Sequence, residues 1–514
     1  MSETSDKKCS MFHAPCSMIL EYGIYLFVFL LPWQTKLILR TGVLGGGDWE
    51  YGTIALYGID ILLAVLLILF TINYFIEKKK NSLNFLNSDV ILNASEIIDP
   101  SPGARDDKNI VGNRPTPFGF AQGRPSRAAR ATPPERGILI MLSGLDFFVF
   151  ISVFFAPDII LAAYRYVLFL LGLGLFWLIV KVEYDQKKMA IAFFSGLLIQ
   201  SGLAIWQFLN QGTFADKWLG MALHNPSDLG TSVIETVGVD GIPERWLRAY
   251  GSLDHPNILG GVLAIGLIIL IFYFISKKKL ESESAVTHPV LARRESTPLK
   301  RGLIIFYFLL FILFLGLIFT FSRSAALALS VGIILFFIFY FIKKNSAALK
   351  KLGLAVFLAT IMFGVIFAGY SDLFITRAQI SSRLEIKSVT ERSDYLKDSY
   401  KIIKKDWLFG TGIGNYTKEL SQENPKRPWF DIEPVHNVFL LVFSEIGIGG
   451  VLFFIALLVY LFVQSWRKNN ILSLSIIAAL AIMMMFDHYL WSLPFGILFF
   501  WLAIGFVYKN LNKI

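Results

Sequence analysis

The stretch LIIFYFLLFILFLGLIFTFSRSAALALSVGIILFFIFYFIKK, residues 303–344, contains two long apolar runs joined by a short polar link. Each run has roughly the 20 residues with which an α-helix crosses a hydrocarbon core of about 30 Å. The link, Ser322 to Ser324, leaves room only for a tight turn. The stretch therefore predicts two antiparallel neighbouring helices inside a membrane.

The rest of the chain has the same character. Of its 514 residues, 55% are hydrophobic and 17% are charged, whereas about a quarter of the residues of a soluble domain are charged. The first apolar run, Met18 to Leu39, is too long for the core of a signal peptide and lacks a cleavage pattern of small residues. We therefore predict an all-α polytopic membrane protein whose first apolar run is a span.

The apolar runs predict about twelve spans, which begin near residues 18, 53, 138, 158, 188, 253, 302, 324, 351, 436, 470 and 491. With the N-terminus in the cytoplasm, the connections that follow even-numbered spans hold the Lys and Arg clusters, as the positive-inside rule requires. The predicted segments are spans 1–2 (1–76), a disordered basic cytoplasmic insertion (77–137), spans 3–6 with an external loop at 210–253 (138–276), a second cytoplasmic insertion (277–301), spans 7–9 (302–370), a large external loop (371–435) and spans 10–12 (436–514).

The net charge of +10 does not indicate nucleic-acid binding, because the cations cluster at the ends of spans rather than on one face of a domain. The two cysteines, Cys9 and Cys16, form neither a zinc motif nor a disulfide framework. The positive-inside orientation places four of the six histidines in or beside external segments, so we expect the chemistry on the external side.

Two arginines lie at predicted external helix boundaries. Arg248 begins RAYGSLDHPNILGG, in which a DHPN turn with Asp254 as N-cap opens span six. Arg323 lies in the turn between spans seven and eight, where it either extends to the membrane surface or holds an anion. Guanidinium groups suit phosphate oxygens because they donate bidentately and stay charged.

The large external loop supplies further arginines, Arg377, Arg383 and Arg392, among which the sequence gives no assignment. Its stretch ERSDYLKDSYKIIKKDWLFG has helical apolar spacing. The following GTGIGN resembles a phosphate-binding glycine loop, but no strand–loop–helix context supports that function. We expect a tight turn that returns the loop to the membrane.

His436 and Asn437 open span ten in PVHNVFLLVFSEIGIGG. Alone, this histidine is typical of a helix cap. The orientation, however, places it on the same membrane face as Arg248 and Arg323. Two arginines and one imidazole suit an amphiphilic diphosphate, because the arginines neutralise a leaving diphosphate while a neutral histidine accepts a proton from a hydroxyl.

The ordered motifs RAYGSLDHPN, FTFSRSA, LFGTGIGNY and HNVFLLVFSEIGIGG resemble the O-antigen ligase and polymerase superfamily of bacterial membrane glycosyltransferases. The resemblance is close over residues 248–450, and it implies a GT-C-like bundle of about twelve helices with a periplasmic loop domain in the bacterial inner membrane. It implies a glycan donor carried on undecaprenyl diphosphate, a lipid A core or other glycan acceptor, and inverting transfer without a metal or cofactor.

Carried onto this sequence, the resemblance implies that His436 is the catalytic base and that Arg248 and Arg323 bind the donor diphosphate. Arg392 is our choice for an extra donor ligand. The remaining candidates for the cavity lining are His255, Asn437 and His488.

The subclass stays open at this point, because three kinds of enzyme must bind the donor in the same way. These are a ligase in lipopolysaccharide biosynthesis, an O-antigen polymerase and a protein O-oligosaccharyltransferase. We rank the ligase first. An anionic-lipid transporter or flippase is the more distant alternative, because the sequence shows no convincing internal repeat and its external charges do not lie mid-span.

Overall fold

A computed structural model describes residues 3–95, 133–237, 242–276, 289–379 and 382–512. Its helices are α1 (Glu3–Leu30), α2 (Gly58–Ser95), α3 (Pro133–Ser152), α4 (Ile159–Lys181), α5 (Gln186–Asn210), α6 (Pro256–Ser276), α7 (Pro289–Thr320), α8 (Arg323–Ile342), α9 (Ser346–Gly369), α10 (Ser371–Gln379), α11 (Arg383–Lys405), α12 (Tyr416–Glu423), α13 (Val438–Arg467), α14 (Ile471–Phe486), α15 (Tyr489–Ser492) and α16 (Pro494–Asn512).

The apolar helices confirm the predicted fold class, an all-α polytopic membrane protein. Among the described residues, ten helices are long and apolar enough to cross a membrane, and two shorter apolar helices cover Ser17–Leu30 and Ile471–Phe486. Together these twelve helices begin within a few residues of the twelve predicted starts. Local apolar length alone was enough to find them.

Helices α6 and α16 form the centre of the bundle. In the apolar segment of α6, 78% of the residues are buried, compared with 11% in α9. The α6 helix is hydrophobic on all sides and packs against α7, α8 and α14, while α16 packs against α4. An evenly apolar helix suits a buried position because it has no polar side to present.

Short strands, which the sequence did not predict, cover one end of the bundle, here called the loop end. They are β1 (Lys36–Arg40), β2 (Val43–Leu44), β3 (Gly47–Asp48), β4 (Ile54–Tyr57), β5 (Val233–Val237) and β6 (Pro243–Leu247). All pairs are antiparallel: β1 with β4, β2 with β3, and β5 with β6, in which Val233 lies opposite Leu247.

The prediction that the first apolar run continues as one element to Leu39 is wrong. Helix α1 ends at Leu30, and the chain then forms β1, with Lys36 opposite Tyr57. Pro32 explains the break, because proline lacks the N–H that a helix interior needs.

The insertions are described only at their edges. The prediction of disorder over 77–137 is wrong at both edges, because α2 continues to Ser95 and α3 starts at Pro133. Residues 96–132 lie outside the described residues, and disorder there stays a prediction. In the second insertion, residues 277–288 likewise lie outside them, and α7 begins at Pro289.

Candidate functional site

A polar pocket of about 400 Å³ opens at the loop end of the bundle. Its walls come from the flanks of the β5–β6 hairpin, the α7–α8 turn, α10, α11 and the segment before α13. The ionisable residues that line it are Arg248, His255, Arg323, Arg377, Glu385, Arg392 and His436. The fold thus brings together all three predicted diphosphate ligands, the predicted base and one of the predicted lining histidines.

Arg323 occupies the first position of α8. Helix α7 ends at Thr320, and only two residues separate it from α8, which confirms the tight turn. Phe321 has a positive φ of 46°, and the Ser322 side chain accepts a hydrogen bond from the Ala325 N–H as the N-cap. The turn therefore fixes the arginine backbone, while the side chain, 39% exposed, extends into the pocket.

Arg248 follows β6 and is buried. Its Nε donates to the Thr320 carbonyl oxygen (2.9 Å) and its Nη2 to Asn257 Oδ1 (2.6 Å). Burial and the positive charge of Arg377 lower the Arg248 pKa, although a guanidinium stays charged in proteins. A crowded, partly desolvated cation of this kind favours an incoming anion.

The structure distinguishes the three loop arginines. Arg377 forms an ion pair with Glu385 and lines the pocket, although no role was predicted for it. Arg392 also lines the pocket and has no hydrogen-bond or ion-pair partner among the described residues. Arg383 instead pairs with Glu235 of β5 (2.8 Å) and is 72% exposed, away from the pocket lining.

His436 presents one ring nitrogen to the pocket. Its Nδ1 lies 3.2 Å from the Pro434 carbonyl oxygen, which can only accept, so Nδ1 carries the proton and Nε2 is left with a lone pair. Burial lowers the His436 pKa, which keeps the ring neutral at neutral pH. Asn437 takes the capping role, because its side chain accepts the Leu440 N–H (3.0 Å), and Tyr395 stacks parallel to the imidazole.

A chain of hydrogen bonds connects Arg248 with Asp487, the residue that precedes His488. Arg248 donates to Asn257, whose Nδ2 donates to Asp487 Oδ2 (2.9 Å). Burial raises the Asp487 pKa, but the pKa is lowered overall, in part because the Asn257 amide donates to the carboxylate. His488 meets His436 edge to face, with ring centroids 5.0 Å apart, and burial lowers its pKa to about 3.

Asp487 and Asn257 were missed as site residues. Asp487 directly precedes His488 and Asn257 lies two residues after His255, but these positions do not reveal that two distant segments share one hydrogen bond. His488 lies behind the pocket lining, where it supports the His436 ring, rather than among the residues that line the pocket.

His255 caps α6, a role that we expected of Asp254. The His255 Nδ1 accepts the Asn257 N–H (3.1 Å), so its Nε2 carries the proton and donates to Ser232 Oγ (2.9 Å). Burial lowers the His255 pKa to about 3. With both nitrogens engaged, His255 is fixed as a neutral group in the pocket wall.

The arrangement is suited to hold an anion of two or more charges beside a neutral proton acceptor. Four guanidinium groups line one pocket, and the only unengaged ring nitrogen among its two lining histidines belongs to His436. Among the described residues, no group of three or more His, Cys, Asp or Glu side chains is arranged to hold a metal ion.

The fold and the pocket together define a class: a polytopic helical membrane protein with an arginine-lined pocket at one end of its bundle. A family model described as O-antigen ligase matches residues 308–455, which confirms the resemblance to the O-antigen ligase-like superfamily. The match supports an enzyme of the glycosyltransferase or ligase type. It spans the α7–α8 turn, the large loop and His436, and a comparison with curated proteins gives no match.

Proposed function

We propose that this protein transfers a glycan from undecaprenyl diphosphate to an acceptor hydroxyl, as an O-antigen ligase-like enzyme of the bacterial inner membrane. The observation that carries the proposal is the pocket that four arginines share with the open Nε2 of His436. The termini lie in the cytoplasm and the pocket opens to the periplasm in this proposal, in agreement with the positions of the Lys and Arg clusters.

An apolar groove next to the pocket supports a donor carried on a lipid. The groove holds about 670 Å³ between α7, α8, α9 and α10, and Arg323 and Arg377 line both the groove and the pocket. Its other lining residues are almost all apolar, among them Phe314, Ile333 and Phe363. A polyprenyl tail in the groove would place its diphosphate at the arginines.

The proposed reaction is a single displacement. The acceptor oxygen attacks the anomeric carbon from the side opposite the diphosphate, so the configuration inverts, while His436 Nε2 takes the hydroxyl proton. The bond from the anomeric carbon to the diphosphate oxygen breaks, and that oxygen keeps the electron pair. The arginines stabilise the charge that develops there, as preorganised donors do for an oxyanion.

The description of the matching family supports a ligase, for which the acceptor would be a lipid A core sugar. A polymerase would use a second lipid-linked repeat unit, and a protein glycosyltransferase would use a Ser or Thr side chain. Offering the three acceptors separately to purified protein with one donor identifies which one is used.

The central test measures transfer by purified protein carrying His436→Ala. We expect a fall in turnover of about 10²- to 10⁴-fold, the usual contribution of a general base, with donor binding retained. The matched control is His224→Ala, because His224 stacks on Tyr250 outside the pocket lining and should leave turnover unchanged. Full activity of His436→Ala would remove the proposed catalytic role.

A further inference from the structure

Among the described residues that line the polar pocket, Glu385 is the only one with a carboxylate. It lies in the first turn of α11, where Ser382 is the N-cap, and its side chain is 4% exposed. One carboxylate oxygen pairs with Arg377 and the other lies 3.2 Å from Arg323 Nη1. A buried anion thus already occupies two of the four guanidinium groups.

The two arginines that Glu385 bridges are also held by backbone oxygens. Arg323 Nη1 donates to the Arg377 carbonyl oxygen (3.1 Å), and Arg377 Nη2 donates to the Phe321 carbonyl oxygen (3.1 Å). Arg377 Nε is buried and has no hydrogen-bond acceptor among the described residues. Arg377 therefore keeps an unused donor, and Arg323, at 39% exposure, has room to change its partner.

The charges of the donor and the product differ, which gives the carboxylate a specific use. On the proposed function, the donor is a diphosphate diester with about two negative charges. The released lipid diphosphate has a terminal phosphate whose second pKa is about 6, so it carries about one more negative charge at neutral pH. A pocket of arginines alone would hold the product more tightly than the donor, and turnover would be limited by release.

We propose that Glu385 is an internal counter-anion. Its carboxylate and the donor diphosphate both bind Arg323 and Arg377, and the carboxylate pairs with Arg323 again when the product leaves. With neutral histidines, four guanidinium groups and one carboxylate leave the pocket three positive charges. The carboxylate keeps both arginines in position while the pocket is empty, and its repulsion weakens the more highly charged product. Glu385 is thus a positioning residue that sets product release.

The test uses Glu385→Gln, which keeps the size and one hydrogen-bond acceptor but removes the charge. We expect a single-turnover transfer rate within about twofold of wild type, a steady-state rate about tenfold lower, and inhibition by inorganic pyrophosphate about tenfold tighter. The matched control is Glu235→Gln, because Glu235 also contacts two arginines, Arg245 and Arg383, but outside the pocket. It should change none of these values.

Unchanged or weaker pyrophosphate inhibition in Glu385→Gln overturns the proposal that Glu385 is a counter-anion. If that variant does not fold, Glu385→Ala takes its place: it also removes the charge, and inhibition equal to wild type overturns the proposal as well. Direct pyrophosphate binding by calorimetry tests Glu385 without any transfer. If wild type binds pyrophosphate but transfers no glycan to any acceptor, the proposed function fails, and the binding comparison still decides the role of Glu385.

Discussion

His436 is prepared for proton transfer by its immediate neighbours. The Pro434 carbonyl oxygen holds the proton on Nδ1, Tyr395 stacks on one face of the ring, and His488 meets it edge to face. These contacts fix both the tautomer and the orientation of the imidazole, which a general base needs before a substrate arrives. Asn437 supplies the helix cap, so the histidine is free of that structural task.

The pH dependence of transfer follows from the surroundings of this imidazole. Burial lowers the His436 pKa below its usual 6.5, Asp487 opposes the shift, and Arg392 adds to it. Because the base must be neutral, we expect activity to be complete at neutral pH and to fall as the pH drops through an apparent pKa below 6.5. The measurement is kcat/KM of the purified protein against pH.

A second variant checks the sign of this dependence. The negative charge of Asp487 raises the His436 pKa, so Asp487→Asn should move the acidic limb to still lower pH. His224→Ala is the control and should leave the profile in place. An acidic limb at or above 6.5, or one that moves upward in Asp487→Asn, contradicts the assignment of His436 as the base.

Helix α13, which follows His436, contains a kink that the preceding loop stabilises. The helix is broken at Gly447, which has φ 70° and ψ −175°. The backbone groups that the break frees are bonded by the preceding loop: Ile448 N–H donates to Trp407 O, and Glu445 O accepts the Gly412 N–H, both at 2.9 Å. The backbone of the glycine-rich GTGIGN stretch therefore stabilises the helix kink.

Gly447 is the position at which this arrangement should be most sensitive. A Cβ there would lie 2.1 Å from the Leu408 carbonyl oxygen, and the positive φ disfavours any side chain. We expect Gly447→Ala to lower the free energy of unfolding by roughly 1–3 kcal/mol from backbone strain. The loss is measured as a lower thermal unfolding temperature of the purified protein in detergent.

Gly364→Ala is the matched control for this substitution. Gly364 lies within α9, and a Cβ there would meet no atom within 4 Å. Alanine is the better helix former, so the control should match wild type or exceed it slightly. Equal stability of Gly447→Ala and Gly364→Ala would show that the kink is not under the constraint described.

The distribution of charge indicates how the whole molecule is oriented in the membrane. Helix α8 begins at the pocket with Arg323 and is followed at its other end by Lys343 and Lys344, while α13 leads from His436 to Arg467 and Lys468. The lysine clusters thus lie at the end opposite the arginine pocket. From the positive-inside rule we therefore expect the pocket to face the outside of the membrane.

Cysteine labelling in intact cells tests this orientation. Cys9 and Cys16, the only native cysteines, are first replaced by serine, and single cysteines are then introduced at Lys426 and Lys343, both exposed. We expect Lys426→Cys to react with an impermeant maleimide from outside and Lys343→Cys to react only after the membrane is opened. The reverse pattern would place the pocket in the cytoplasm and contradict the proposed function.

Much of the site could be predicted from the sequence because a helix boundary reveals which face of the membrane a residue occupies. That reasoning placed Arg248, Arg323 and His436 together, and the pocket contains all three. It could not separate Arg377 from Arg383, since both lie in one loop and either side chain could turn inward. Their ion-pair partners determine which arginine lines the pocket: Glu385 holds Arg377 at the pocket, and Glu235 holds Arg383 away from it.

The sequence by itself determined the helical membrane fold, the positions of twelve apolar helices and the common face of the predicted site. Span length, apolar composition and the placement of lysines are local properties, and the bilayer acts on each of them directly. Only the tertiary structure decided that Glu385 lies among the arginines, that Asp487 reaches Asn257, and that the glycine loop holds the kink of α13. These contacts join segments far apart in the chain, and no local pattern specifies which side chains meet when the helices pack.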